Sequence, residues 1–420
     1  MSKKEKRPLG IHEKVYWVLD QKTTTQFAVA AELGGDTTDQ AWRQALDVVQ
    51  QRHPNLSVQI SGNEYTTAHF EHVDDCPIPL RTVYMETGEN WNAELEKEMR
   101  IPFDITVAPL ARAVLIRQPG KSVFIIVSNH SIGDGMSGAL LIRDMLTVLS
   151  GEPVDNLSTL TTLDNLAGVT VTEIEKEQTS SFEQAKSSLL LRPEIRVHRL
   201  KLSRSRTEKL VQRSKSEQTT VHGALTAAFV LALKQKDTSR QQKPVRILHP
   251  LSARPTLDIG DDYGLLVNLV TLTHDPDPQE TFWAFARQVR KDIALMKTPE
   301  WIKGDTVAIG ELFCNEMELK TIEEIVHQAI ENEIILTNLG RFPFRTDFGQ
   351  LQLKSLWGPL VLTPHEASRT VGVATFNGEL TLTLTGYSSS DGLLEAAGKI
   401  IDQVCEAPEH MQVLELLSNS

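Results

Sequence analysis

The sequence predicts an α/β protein of two halves of comparable size, and three observations carry that expectation. Strand-like and helix-like segments alternate through most of the 420 residues. A stretch rich in Thr, Ser, Asp and Glu, residues 151–188, has weak periodicity and separates two such sets. Residues 123–127 form a short, continuously apolar run, as expected of a buried strand. The expected division is an N-terminal lobe at 1–150, a crossover at 151–196 and a C-terminal lobe at 197–420.

In the first half, residues 26–33 are β-like. Residues 38–53 place Trp42, Ala45, Leu46 and Val49 at helical spacing, with Asp36, Thr37 and Thr38 as capping candidates and Pro54 as a stop. Residues 56–60 are again β-like, and 92–99 suit a helix ending before Pro102. Residues 110–117 and 122–128 form a hairpin about Pro119-Gly120-Lys121, which carries His130 at its far end. Residues 138–149 close this half as an amphipathic helix. In the second half, 197–202 alternates as a strand, and 205–214 and the strongly apolar 220–233 are helical. Residues 244–251 are a strand, followed by helices at 282–296 and 321–331. A run of strands follows at 333–337, 351–356, 371–376 and 379–386. The last two flank Asn377-Gly378, the clearest hairpin signal in the chain. Residues 392–405 form a closing helix.

Composition sets the bounds. The chain is 40% hydrophobic and 23% charged, the balance of a soluble globular protein. A net charge of −12 argues against nucleic acid as the main partner, because phosphate binding needs a positive surface. Cys76, Cys314 and Cys405 have no metal-ligand spacing and cannot all pair within one chain, so a reduced, cytoplasmic setting is expected and no metal site. No apolar stretch approaches the roughly 20 residues that span a bilayer, and the N-terminus lacks the apolar region of a signal peptide.

The richest segment for chemistry is Asn129-His130-Ser131-Ile132-Gly133-Asp134-Gly135. Histidine is readily poised as a base near neutral pH, and a strand end can aim it into a cleft. Gly133 and Gly135 are expected to permit the sharp turn into the next helix. A histidine in such a place also serves purely structural ends, so the segment needs support from elsewhere in the chain.

Several strings supply it in a consistent order. Gln44-Ala45-Leu46 leads to Arg52-His53-Pro54-Asn55-Leu56, and Pro109-Leu110-Ala111-Arg112 precedes the His130–Gly135 segment. Residues 220–233, Ser252-Ala253-Arg254-Pro255, and Tyr263-Gly264 with Asn268 follow. With its H-x-x-x-D-G string the chain resembles the chloramphenicol-acetyltransferase-like acyltransferases, which include peptide-synthetase condensation domains and alcohol acyltransferases. Thr337-Asn338-Leu339-Gly340-Arg341-Phe342-Pro343 and Trp357-Gly358 look most like the polyketide-associated, phthiocerol dimycocerosyl transferase-like O-acyltransferases.

The resemblance implies two chloramphenicol-acetyltransferase-like lobes side by side as a pseudo-dimer, with a tunnel between them and His130 in its middle as the catalytic base. Asp134 would pair with Arg254 and shape the loop, and Gly135 would be the turn residue. Condensation domains usually carry two adjacent histidines. Here the first place is Asn129, which favours ester over amide formation. The donor would be acyl-CoA or an acyl-phosphopantetheine carrier protein, the acceptor a small alcohol, with no tightly bound cofactor and no need of a partner subunit. An amide-forming enzyme acting on an amine, and a non-catalytic carrier-protein docking module, are the alternatives.

Transfer from a thioester also needs donors for the tetrahedral oxyanion. Asn338, Thr337 and a backbone N–H of the Gly133–Gly135 turn are candidates; an asparagine holding a loop explains Asn338 equally. Arg199, Arg204 and Arg206, in the basic segment 192–206, are candidates for the phosphate of CoA or of a pantetheine arm, although a solvated strand face accounts for the same charges. His365 sits in Pro364-His365-Glu366 with nothing to raise it above a loop histidine.

Overall fold

Strand Gln26–Gly35 sits at the heart of a computed structural model, with one face toward each of two hydrophobic clusters. The structure describes residues 6–21, 25–62, 67–158, 161–169, 190–314, 318–362, 369–387, 392–406 and 411–418. Phe27, Val29, Ala31 and Leu33 join one cluster, and Ala28 and Ala30 join the other. Its neighbour Lys121–Asn129 splits likewise, Phe124 and Ile126 against Val123, Ile125 and Val127. Successive side chains leave a strand on opposite faces, so a strand covered on both sides reads as an unbroken apolar run.

The first six-stranded sheet has the order Asp347–Phe348, Leu351–Leu362, Gln26–Gly35, Lys121–Asn129, Ala111–Gln118, Leu80–Tyr84. The second has the order Val267–His274, Val245–Ser252, Ile334–Phe342, Arg369–Phe376, Glu379–Gly386, Arg196–Leu202. A small third sheet joins Lys6–Pro8, His69–His72 and Val58–Ser61. The α/β class and its two sheet-centred halves match the expectation.

The partition of the chain does not follow the expected boundary. Residues 197–420 were expected to form one lobe, yet Leu351–Leu362 leaves it and pairs antiparallel with Gln26–Gly35. Sequence pattern identifies a strand but not its partner, because both sheets offer a buried slot. Where this strand crosses, Gly372 of the second sheet lies so close that a Cβ there would stand 2.1 Å from the Pro359 carbonyl oxygen. The two sheets thus touch backbone to backbone.

Local signals held at the turns. Asn377 and Gly378 both have positive φ, 47° and 81°, and Phe376 faces Glu379 across a two-residue hairpin. The apolar helix Val221–Lys236 is buried from Gly223 to Lys234. It packs with Phe282–Leu295 and Leu393–Glu406 in the core of the second half. Within the crossover, the short helix Leu163–Leu166 places Asp164 Oδ1 to accept from the Ile11 N–H at 3.2 Å. Much of the rest of that segment lies outside the described residues, as does His365.

Candidate active site

His130 follows directly on strand Lys121–Asn129, and its backbone N–H donates to the Thr25 carbonyl at 3.0 Å. The imidazole stacks on the Tyr16 ring, centroids 4.5 Å apart and planes 17° from parallel, while Phe27 tilts against it at 5.1 Å. Only 7% of the residue is exposed. Burial pushes its pKa down to about 4; the Asp134 carboxylate and the backbone carbonyls of His130 and Gly133 oppose this without undoing it. The ring is therefore neutral at pH 7. Nδ1 is sealed from solvent, so Nε2 is the nitrogen open to chemistry.

Tyr16 comes from helix Ile11–Asp20, which the sequence reading did not pick out. The helix is buried along its whole length, including Glu13 and Lys14. Glu13 is held by Arg7 at 2.8 Å and by the Gly10 N–H at 2.7 Å. Charges inside the segment hid its core position, although Glu13 three residues after Gly10 is a capping-box spacing.

Asp134 caps helix Gly135–Leu149. Its Oδ1 accepts from the Ser137 N–H at 2.8 Å, and its Oδ2 from the Leu266 N–H in the other half at 3.0 Å. The expected pairing with Arg254 is present but indirect. Nη2 stands 3.8 Å from Asp134 Oδ1, with the Ser137 hydroxyl 3.0 Å from each. The guanidinium also donates to the Gly260 and Asp262 carbonyls at 2.8 Å. Ser137 was missed by sequence reasoning. Its position three residues after a capping Asp is the signal that would have found it.

The glycines act differently from the expectation. Neither Gly133 nor Gly135 has positive φ, so neither supplies a special turn conformation. A Cβ on Gly135 would lie 2.6 Å from Pro359 Cβ, and one on Gly133 2.5 Å from the Tyr263 ring. Gly133 is needed for the close approach of Tyr263 from the other half, and Gly135 for that of strand Leu351–Leu362.

A cavity of about 630 Å³ opens in front of His130. Both halves wall it, with Tyr16, Met136 and Leu140 on one side and Leu248, Leu251 and Ile335 on the other. Thr337 and Asn338 line it as well. Asn338 Oδ1 accepts from the Gly340 N–H at 2.8 Å, which leaves its amide N–H₂ as the free donor. Asp134, Gly135 and Arg254 also border the cavity.

Arg199, Arg204 and Arg206 do not. Arg199 lies between the Trp91 and Trp357 rings, 3.7 and 4.9 Å from their centroids, and pairs with Glu32 at 3.2 Å. Arg204 donates to the Asn377 carbonyl at 2.8 Å, and Arg206 to Asp402 at 2.7 Å. These guanidiniums are used in packing and ion pairs, away from the cavity wall.

Asn129 also turns away from the cavity. Its Nδ2 donates to the buried Asp20 carboxylate at 2.7 Å, and its Oδ1 accepts the Ser131 N–H at 2.9 Å. The Arg52-His53-Pro54-Asn55 string is a structural joint. Arg52 and His53 bind Asp144 at 2.8 and 3.0 Å, and Asn55 donates to the Tyr263 carbonyl at 3.0 Å. Among the described residues no helix is long and apolar enough to cross a membrane, and no cluster is fit to hold a metal.

Comparison with known proteins agrees with this architecture. Residues 192–294 match the family model of the phthiocerol/phthiodiolone dimycocerosyl transferase C-terminus. Among curated proteins, surfactin synthase subunit 2 of Bacillus subtilis (strain 168) is 24% identical over 416 residues, covering 93% of this chain and 11% of that protein. Tyrocidine synthase 3 of Brevibacillus parabrevis is 24% identical over 267 residues, 57% of this chain and 4% of that protein. The chain thus spans about a tenth or less of the length of these two relatives.

Among solved structures, polyketide synthase associated protein 5 from Mycobacterium tuberculosis superposes with a TM-score of 0.67 at 17% identity, covering 96% of this chain and 98% of that one. The first condensation domain of the CDA synthetase gives 0.69 at 14%, covering 98% of each. The fold is the two-lobed one of these acyltransferase-associated and condensation-domain structures. In fold and in these partial sequence matches the chain is similar to the condensation and acyltransferase proteins of the chloramphenicol-acetyltransferase-like superfamily.

Proposed function

We propose that this protein transfers an acyl group from a thioester to an alcohol, with His130 as general base. The observation that carries the reading is a neutral imidazole stacked on Tyr16 at the wall of a mainly apolar cavity between the halves. An attacking hydroxyl gives its proton to Nε2 as its oxygen bonds to the thioester carbon, a step worth roughly 10²–10⁴-fold. The carbonyl oxygen takes up the negative charge, toward which the Asn338 amide is the candidate donor. Collapse of the intermediate breaks the C–S bond, and the imidazolium returns the proton to the departing thiolate. Base and acid are the same residue, so no covalent acyl-enzyme is needed. The aliphatic walls suit an apolar acyl group and limit water, which would otherwise hydrolyse the thioester.

Thiol release from acyl-CoA and acyl-carrier-protein donors, with pooled alcohols and amines, tests this against His130→Ala. Acceptor-dependent release that collapses in the variant supports the reading; equal release by both proteins overturns it. The peptide-synthetase relatives favour a second reading, amide formation on an amine with the same base. The responding pool separates the two.

A further inference from the structure

Three imidazoles play no part in that chemistry. His222 begins helix Val221–Lys236, His249 lies on strand Val245–Ser252, and His274 ends strand Val267–His274. His222 Nε2 stands 3.0 Å from His249 Nδ1, and His249 Nε2 3.2 Å from His274 Nε2. His222 borders the cavity, and the other two are buried behind it. Burial holds all three neutral at pH 7, with the nearby Lys297 charge acting in the same direction on His222. Each N···N contact of a neutral chain holds one proton, so the three tautomers are locked together. The chain runs in either of two directions, and an anion at the cavity selects the one in which His274 donates to His249, His249 to His222, and His222 Nδ1 carries the proton.

Lys297 borders the same cavity, and among the described residues no carboxylate lies within ion-pair distance of it. The 16-residue helix that starts at His222's end brings its positive dipole end to the same place, with its capping Thr220 on the cavity wall. The carboxylates on the wall are already engaged. Asp134 is held through Ser137 and Arg254, and Asp261 accepts from Arg143 at 2.8 Å. Among the described residues, no carboxylate on the cavity wall is free to balance this cationic potential.

We propose that Lys297 and His222 form an oxyanion-binding subsite of the cavity, which takes a phosphate or carboxylate carried by one of the two substrates. Its assignment to a substrate rests on the acyl-transfer reading; its chemistry does not. Lys297 supplies charge, and His222 an N–H in the tautomer that relays back through His249 to His274. They are positioning residues.

Binding by calorimetry separates the two sources of the anion. One pair of probes is pantetheine against 4′-phosphopantetheine, and the other hexan-1-ol against 6-hydroxyhexanoate. In at least one pair the charged probe binds 10-fold or more tighter to the wild type, and the preference disappears in both Lys297→Met and His222→Gln. A response in the first pair assigns the subsite to the donor arm; in the second, to the acceptor. The preference persists in His130→Ala, so loss of the catalytic reading leaves this result readable. No preference in either pair, or one that survives in both Lys297→Met and His222→Gln, overturns the subsite. Imidazole ¹⁵N spectra confirm that His222→Gln remains folded through the unchanged His130 signal.

Discussion

Asp134 and Arg254 join the two halves of the molecule through one hydroxyl: Ser137 Oγ lies 3.0 Å from each, while their charged groups stand 3.8 Å apart. Both are almost fully buried, at 1% and 6% exposure. Asp134 also caps the helix that begins just beyond His130. The same carboxylate therefore fixes the helix start and the contact with the other half.

Arg254→Met removes a guanidinium that satisfies the Gly260 and Asp262 carbonyls as well as Ser137. Breaking a buried pair commonly costs about 3–5 kcal/mol. Asp134 keeps the Ser137 and Leu266 N–H groups, so the loss should fall near 3 kcal/mol in urea unfolding. Thiol release should fall with it. A change below about 0.5 kcal/mol, the usual size for surface substitutions, would show the bridge to be energetically idle.

Gly135→Ala tests the close packing of the turn after His130 on strand Leu351–Leu362. The new methyl would sit 2.6 Å from Pro359 Cβ and 2.7 Å from its Cγ, both on a strand held between neighbours. Overpacking of this kind costs about 1–3 kcal/mol. Gly304→Ala, within helix Pro299–Cys314 and with nothing within 4 Å, should instead stabilise by up to about 1 kcal/mol. Thermal unfolding of the pair separates crowding from backbone propensity.

Tyr16→Ala should raise the His130 pKa from about 4 toward the ordinary 6.5, because the ring that shields the imidazole is gone. A base works in its neutral form, so the acid limb of kcat/KM should move upward by the same amount. NMR titration of the imidazole gives the pKa directly. An unmoved titration would assign the desolvation to Phe27 and the cavity wall.

These sites differ in how far the sequence exposed them. The strand leading to His130 was legible because burial on both faces leaves an unbroken apolar run, and the 377–378 hairpin because positive φ selects Asn and Gly. Asp134 and Arg254 were legible as a family pattern, but the Ser137 bridge depends on atoms 117 positions apart. Residues 351–356 read correctly as a strand, which continues to Leu362; its place beside Gln26–Gly35 is a long-range choice that no local pattern records. Arg199, Arg204 and Arg206 misled because a basic segment looks the same whether its charges meet phosphate or nearby Glu32, Asn377 and Asp402.

The pH dependence of stability carries two opposing signs. His130, His222 and His274 have pKa values lowered to about 4, about 3 and about 4, so below about 6.5 the unfolded chain takes up protons that the folded one refuses. Stability from these groups falls as pH drops through that window. Asp20 works the other way. It is fully buried, and desolvation pushes its pKa up to about 7 against the hydrogen bonds from Asn129 and Thr25. Between about pH 4 and pH 7 the folded state holds a proton on Asp20 that the unfolded state has released, so stability falls as pH rises through that range. Asp20→Asn abolishes this second dependence. Relative to the wild type, the variant should gain stability steadily from pH 4 to pH 7, up to about 4 kcal/mol, and the difference should stay flat above pH 7. A constant offset from the altered contact with Asn129 shifts the whole curve without changing its slope. Urea midpoints measured from pH 5 to pH 8 on both proteins decide it: parallel curves would mean that Asp20 ionises as an ordinary carboxylate despite its burial.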